Sequence, residues 1–214
     1  MDELKNFLKE LEDNPEVRSV ILFGSHARGN ARVDSDVDLI VICNETKRGV
    51  EKRNGQFFEL VYVTEEDAKT FYLENRDNAV RTWEIARILF DRDGTAEKIK
   101  QFVCDIEREG KRVFTKEELE HFRFDIENTL QGIKADVGVS DANSNYLMNS
   151  KLLSLLELFF DVRGLWKPAP KQLLYEIQRQ NPVLYEQVVD FYAEQSTANK
   201  VLVLESIANR VLSQ

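Results

Sequence analysis

The organisation of this chain is set by the segment Gly24-Ser-His-Ala-Arg-Gly-Asn-Ala-Arg-Val-Asp-Ser-Asp-Val-Asp-Leu39. A β-rich stretch at residues 17–23 runs into its first two residues, and its last residues open a second β-rich stretch at about 36–42. Gly24 permits a sharp exit from the first strand and the close approach of a ligand. Ser25 offers a hydroxyl and a backbone amide, which suit a phosphate. The segment therefore predicts two strands joined through a phosphate-binding turn.

Three carboxylates form the second part of the pattern. Asp36 and Asp38 are two residues apart on a strand, so both project from one face and can bind hard cations together. Glu59 lies on a third predicted strand, at about 57–63, where a lone carboxylate among apolar residues needs a charged partner. If the second and third strands are neighbours, Glu59 completes a cluster for two Mg²⁺ ions. A salt bridge with a nearby Lys or Arg is the alternative for Glu59.

Four further side chains are weaker candidates. Arg28 and Lys171 have the charge to bind a phosphate, although an exposed structural role fits each equally well. Glu157 and Asp161 share one helical face at a spacing of four and are alternative general bases, with a solvated helix face as the simpler interpretation.

The flanking patterns predict two domains. Residues 1–112 are expected to form an α/β (α+β) domain with a mixed sheet, and residues 113–214 an all-α helical bundle. In the first domain we predict helices at 2–12, 65–74, 76–86 and 95–109, a short strand at 87–90, and a polar connection at 44–54. In the second we predict helices at 116–137, 142–162, 170–179, 182–193 and 197–212. A capping box at Thr115-Lys-Glu-Glu118 opens the helical part.

Composition excludes several classes of protein. The net charge of −9 argues against binding of nucleic acid through its phosphates, and it favours a small or cationic acceptor. With only two histidines, the chain has no zinc cluster of the usual kind, so a catalytic metal must have oxygen ligands. Neither a membrane span nor a secretion signal is visible, so a cytoplasmic protein is expected.

The spacing Gly-Ser, ten residues, Asp-x-Asp resembles the signature of the DNA polymerase beta superfamily of nucleotidyltransferases. Gly24-Ser-x-Ala-Arg-Gly29 and Asp34-Ser-Asp-x-Asp-Leu39 are similar to its minimal, aminoglycoside and lincosamide branch. The resemblance implies that the Gly-Ser pair holds the triphosphate of an NTP. It also implies that the two aspartates bind Mg²⁺ and are joined by a third acidic residue, for which Glu59 is the candidate.

The helical half resembles, more loosely, accessory domains related to HEPN domains. The resemblance implies that residues 113–214 bind the acceptor and that the segment at residues 166–171, with Lys171 as a candidate nucleotide ligand, lies near the nucleotide or acceptor pocket. Some family members pair so that one subunit completes the site of the other, which makes a homodimer an expectation for this chain.

Together these features lead to competing hypotheses of function. The first is transfer of NMP, with AMP from ATP expected, to a hydroxyl of a small molecule such as an antibiotic. The second is an antitoxin-like enzyme that modifies a protein hydroxyl, and the third is a catalytically idle nucleotide-binding or interaction module. Elongation of tRNA or poly(A) ranks last, because the chain lacks a basic stripe.

Overall fold

The computed structural model describes residues 2–213. The chain divides into two compact units, Met1–Gly110 and Lys111–Gln214. The assignment of separate roles to domains 1–112 and 113–214 stays a prediction.

The first unit is built on a five-stranded sheet. Its elements are α1 (Asp2–Asp13), β1 (Ser19–Phe23), α2 (Gly24–Arg28), β2 (Val37–Ile42), β3 (Lys47–Arg53), β4 (Gln56–Val63), α3 (Glu65–Glu74), α4 (Arg76–Trp83), β5 (Arg87–Asp91) and α5 (Thr95–Glu109). The strand order is β3-β4-β2-β1-β5. β2 and β4 run parallel and the other neighbours antiparallel, so the predicted mixed sheet is confirmed.

The apolar residues of the inner strands bury the side of the sheet that faces α1. Phe7 of α1 meets Phe58 of β4 edge to face, with ring centroids 4.9 Å apart. The cluster on this side consists of buried residues from α1, the segment before β1, β1, α2, β2 and β4: Phe7, Leu11, Val17, Val20, Leu22, Ala27, Val37, Leu39, Val41, Phe58 and Leu60. Alternation along each strand then turns Asp38 and Glu59 toward the opposite side.

Residues 44–54 do not form the predicted polar connection, since Lys47–Arg53 is the edge strand β3. It pairs antiparallel with β4 through an Asn54-Gly55 turn, in which both residues have positive φ, 46° and 89°. Asn-Gly with positive φ at both positions is a strong signal for a tight hairpin. The hydrophobic pattern did not predict this strand because most of its exposed positions carry charges, which edge strands commonly use to avoid association.

The second unit is helical, as predicted. Its elements are α6 (Lys116–Asp136), α7 (Asp141–Asp161), a 3-10 turn (Pro170–Gln172), α8 (Leu173–Gln180), α9 (Pro182–Ala193) and α10 (Thr197–Leu212). Both hydrogen bonds of the capping box at Thr115 and Glu118 are present. All five helices contribute to one core, which includes Phe159, Phe160 and Phe191. Among the described residues, every helix is too short or too polar to cross a bilayer.

Candidate active site

The register between β2 and β4 brings the three predicted carboxylates together. Asp38 lies directly opposite Glu59 in the parallel pair, so both side chains leave the sheet on the same side. Asp36, two residues earlier, has the same orientation. One oxygen from each of the three carboxylates lies within 4.8 Å of the others.

This cluster has the properties of a site for a hard divalent cation. Ionised carboxylates so close together repel one another, and a cation between them would relieve that repulsion. No salt bridge of Glu59 with a Lys or Arg is present within residues 2–213, so that alternative for Glu59 is not realised. Carboxylate oxygens are the ligands that Mg²⁺ prefers, so the donor set fits this ion.

Gly24 is in close contact with the cluster. β1 pairs with β2 so that Phe23 lies opposite Asp38, and the chain turns at Gly24 with a φ of 68°. A Cβ added to Gly24 would lie 1.8 Å from Oδ2 of Asp38, far inside van der Waals contact. The glycine therefore serves two needs, a left-handed backbone and space for the carboxylate.

The loop before Asp36 is held by two side chains that the sequence analysis did not select as positioning groups. The Gln56 amide donates to the carbonyl oxygen of Ser35 at 2.8 Å, and Nε2 of His26 lies 3.4 Å from the same oxygen. These contacts connect β4 and α2 to the residue that precedes Asp36. The one sequence signal for Gln56 is that a polar residue stands at the start of a mostly apolar strand.

A pocket of about 290 Å³ opens beside the carboxylates. It is lined by Asp34, Asp36, Val50, Phe57 and Glu59. Val50 belongs to β3 and lies opposite Glu59, so the edge strand that the sequence analysis missed forms one wall of the pocket.

The remaining candidate residues from the sequence lie on elements other than β2 and β4. Ser25 lies half-buried in α2, and Arg28 is exposed at the end of that helix. Lys171 lies in the 3-10 turn of the second unit and is exposed, and its proposed contact with nucleotide stays a prediction. Glu157 is exposed on α7. The carboxylate of Asp161, by contrast, is paired with two lysines of its own unit.

Those two pairs reduce the suitability of Asp161 as a base. Its oxygens lie 2.5 Å from Lys111 and 3.5 Å from Lys167. Both carboxylate oxygens, which would have to take the proton of an acceptor, are thus already in contact with lysine ammonium groups.

Converging carboxylates on adjacent strands, beside a glycine turn, are the arrangement of a metal-dependent phosphoryl-transfer enzyme. A family model for the nucleotidyltransferase domain matches residues 1–90. A relative from Methanocaldococcus jannaschii, provisionally named a protein adenylyltransferase, is 40% identical over 72 residues, which cover 34% of this chain and 67% of the relative. The chain therefore belongs to the nucleotidyltransferase-domain family and is an NTP-dependent transferase.

A solved structure shares the fold. A nucleotidyltransferase-like protein from Exiguobacterium sibiricum 255-15 matches 97% of this chain and 72% of its own, with a TM-score of 0.52 and 14% identity. Binding of an NTP and a divalent metal is typical of the family. The narrower subfamily and the HEPN-like character of the helical unit stay predictions.

Proposed function

We propose that this chain transfers AMP from ATP to an acceptor hydroxyl and releases pyrophosphate. The observation that carries the proposal is the convergence of Asp36, Asp38 and Glu59 within 4.8 Å, next to the Gly24 turn. The catalytically idle alternative would gain support if Glu59 pointed away from the two aspartates or if no metal bound between them, and Glu59 lies close to both. The provisional name of the relative, protein adenylyltransferase, favours AMP as the transferred group.

In the proposed reaction, the acceptor oxygen forms a bond to the α-phosphorus of ATP. The bond from that phosphorus to the oxygen bridging the β-phosphate breaks, and pyrophosphate leaves. The proton of the hydroxyl passes to a carboxylate, for which Glu59 is the first candidate and Glu157 the second. Asp161, held by its lysines, ranks third.

The binding roles follow the positions of the side chains. Asp36, Asp38 and Glu59 would hold Mg²⁺, two ions in our proposal, which when bound neutralises charge on the triphosphate and activates the hydroxyl. Gly24 and Ser25 would hold the triphosphate. Arg28 and Lys171 are proposed as additional phosphate ligands.

Two classes of acceptor each have one supporting observation. The provisional name of the Methanocaldococcus jannaschii relative favours a protein hydroxyl. The net charge of −9 favours a small cationic molecule, because an acidic surface attracts it electrostatically. Completion of the site by a second copy of the chain stays a prediction.

Labelled ATP separates these alternatives. The protein is incubated with α-labelled ATP, Mg²⁺ and either a panel of aminoglycosides and other small hydroxylated cations or proteins co-expressed from neighbouring genes. Mass spectrometry then identifies an adduct of AMP mass on a small molecule or on a protein. Failure to bind ATP and to label any acceptor would overturn the proposal.

Asp38→Asn tests the role of the carboxylates. The substitution removes one negative charge at an unchanged size, and we expect a fall in the transfer rate of at least about 100-fold because metal-held charge stabilisation is lost. Asp105→Asn, at a surface pair with Arg108, is the matched control and should keep the wild-type rate. Full Mg²⁺-dependent activity in Asp38→Asn would contradict the assignment.

A further inference from the structure

Two apolar side chains are exposed beside the carboxylate cluster. Phe57 is 45% exposed and Val50 is 71% exposed, and both border the pocket of about 290 Å³. Single exposed apolar residues are common on protein surfaces. These two differ because they share one pocket with Asp36 and Glu59, so apolar and metal-binding groups face the same space.

The hairpin register places both residues on the carboxylate side of the sheet. Val50 lies opposite Glu59, and Phe57 precedes Glu59 by two residues along β4. Alternation along the strands therefore gives all three side chains the same orientation. The Nζ of Lys52 lies 4.9 Å from the centroid of the Phe57 ring and supports the ring from the edge strand.

The strand order separates this apolar wall from the phosphate-binding turn. Gly24 directly follows β1, which lies on one side of β2, whereas Phe57 and Val50 lie on β4 and β3 on the other side. Neighbouring strands are about 4.8 Å apart, so β1 and β4 are separated by about 10 Å with Asp38 between them. In an in-line displacement the acceptor approaches from the side opposite the leaving pyrophosphate. If the triphosphate binds at Gly24, the space on the β3–β4 side therefore remains available to the acceptor.

We infer that Phe57 and Val50 are positioning residues that bind the apolar part of the acceptor and direct its hydroxyl toward Glu59. This inference rests on the proposed function and adds a substrate requirement, a hydroxyl carried next to an apolar group. The pocket volume suits one ring or one branched side chain with its hydroxyl. Both a small molecule and a protein side chain can present that chemistry.

The test compares acceptors that differ only in the apolar flank. Cyclohexylmethanol and glycerol are the small-molecule probes, and peptides with a serine between two leucines or between two glycines are the protein-type probes. We expect the wild-type protein to prefer the apolar member of each pair, and the pair with the larger preference identifies the source of the acceptor. Phe57→Ala should raise the KM for the apolar probes about tenfold, the loss expected for one aromatic contact.

Further variants separate positioning from folding. Phe57→Leu keeps an apolar side chain and should retain most of the preference, while Val50→Thr keeps the strand-forming shape and should weaken it. Phe71→Ala is the matched control, because Phe71 is 42% exposed in the same unit and does not line the pocket. The affinity for a non-hydrolysable ATP analogue should stay within about twofold of wild type in each variant, because a positioning role leaves nucleotide binding intact.

A binding measurement completes the experiment. Saturation-transfer NMR with cyclohexylmethanol, in the presence of Mg²⁺ and the ATP analogue, should detect binding to the wild-type protein and its loss in Phe57→Ala. Unchanged binding and unchanged KM in Phe57→Ala would overturn the inference and leave the proposed function intact. If the probe still binds but AMP is transferred to no acceptor, that result would instead contradict the proposed function.

Discussion

Gly24 and Asp38 depend on each other in this site. The glycine provides a backbone with positive φ and leaves the space that the Asp38 carboxylate fills. Gly29, five residues later, also has positive φ, 82°, but a Cβ there would meet nothing within 4 Å. A comparison of substitutions at the two glycines thus distinguishes the effect of backbone strain from the effect of displacing Asp38, the proposed metal ligand.

Gly24→Ala and Gly29→Ala should therefore have similar effects on stability and different effects on metal binding. Each places a Cβ on a left-handed residue, at a cost of about 1–2 kcal/mol in the free energy of unfolding. Gly24→Ala alone forces the Asp38 carboxylate to move, so it alone should weaken Mg²⁺ binding, which calorimetry measures. Equal Mg²⁺ affinity in the two variants would show that the contact is unimportant for the metal.

The spacing of the motif was enough to predict that Asp36 and Asp38 lie together. Asp36 and Asp38 share a face because side chains alternate on a strand, and that rule needs no tertiary information. Glu59 required the additional assumption that β2 and β4 are neighbours, which the structure confirms. The contributions of Gln56 and Phe57 to the site were not predicted, because the positions of these side chains depend on the hairpin and on pairing between strands.

The end of α10 is held by two arginines of the same unit. Arg163 donates to the carbonyl oxygens of Val211 at 3.0 Å and Ser213 at 3.0 Å, and to that of Arg210 at 3.4 Å. Arg123 donates to the carbonyl of Leu212 at 3.1 Å. These are carbonyls that a helix leaves without partners at its C-terminus, where positive charge is also favourable. Burial lowers the pKa of Arg163 from its ordinary value, but an arginine stays charged.

Arg163→Met should lower the free energy of unfolding of the helical unit. The methionine keeps an apolar stem over Phe159 and loses the charged hydrogen bonds, so we expect a cost of about 2–3 kcal/mol. Urea unfolding monitored by circular dichroism measures the change. Arg163→Lys keeps the charge but lacks the planar guanidinium group. Its free energy of unfolding should therefore lie between those of the wild type and Arg163→Met. Unchanged stability in both variants would contradict a role in holding α10.

The helices were more predictable than the edge strand for a physical reason. The apolar spacing along α6–α10 and the capping residues Thr115 and Glu118 are local signals, and the structure follows them closely. β3 has a charged sequence whose strand conformation comes from pairing with β4, and a local pattern does not contain that information.

Across the first unit, Arg18 joins segments that are far apart in sequence. Its guanidinium donates to Asp93 at 2.7 Å and to Glu65 at 3.3 Å, linking the start of β1 to the turn before α5 and to α3. The Thr95 hydroxyl, and after it Arg18, hold the pKa of Asp93 at about 2, below its ordinary 3.8. The ionised carboxylate is therefore favoured in the folded protein.

Stability of this unit should decline in acid through Asp93. Because the folded pKa is depressed, the contribution is complete above pH 3.8 and is lost as the pH falls toward about 2. The side chain is 42% exposed, so screening reduces the contribution to about 1 kcal/mol. Urea unfolding should show Asp93→Asn less stable than wild type at pH 6, with the difference reduced at pH 2, where the carboxyl is about half protonated in the folded protein. A difference as large at pH 2 as at pH 6 would point to a cause other than ionisation.

The parallel register of β2 and β4 also limits how the length of this chain can vary between relatives. A single-residue insertion or deletion within either strand would move the following side chains to the opposite face of the sheet. Asp38 or Glu59 would then point into the apolar cluster under α1. The exposed segment at residues 44–46, between β2 and β3, has no such constraint. Gaps in an alignment of relatives are therefore expected there, while the strands on either side keep their length.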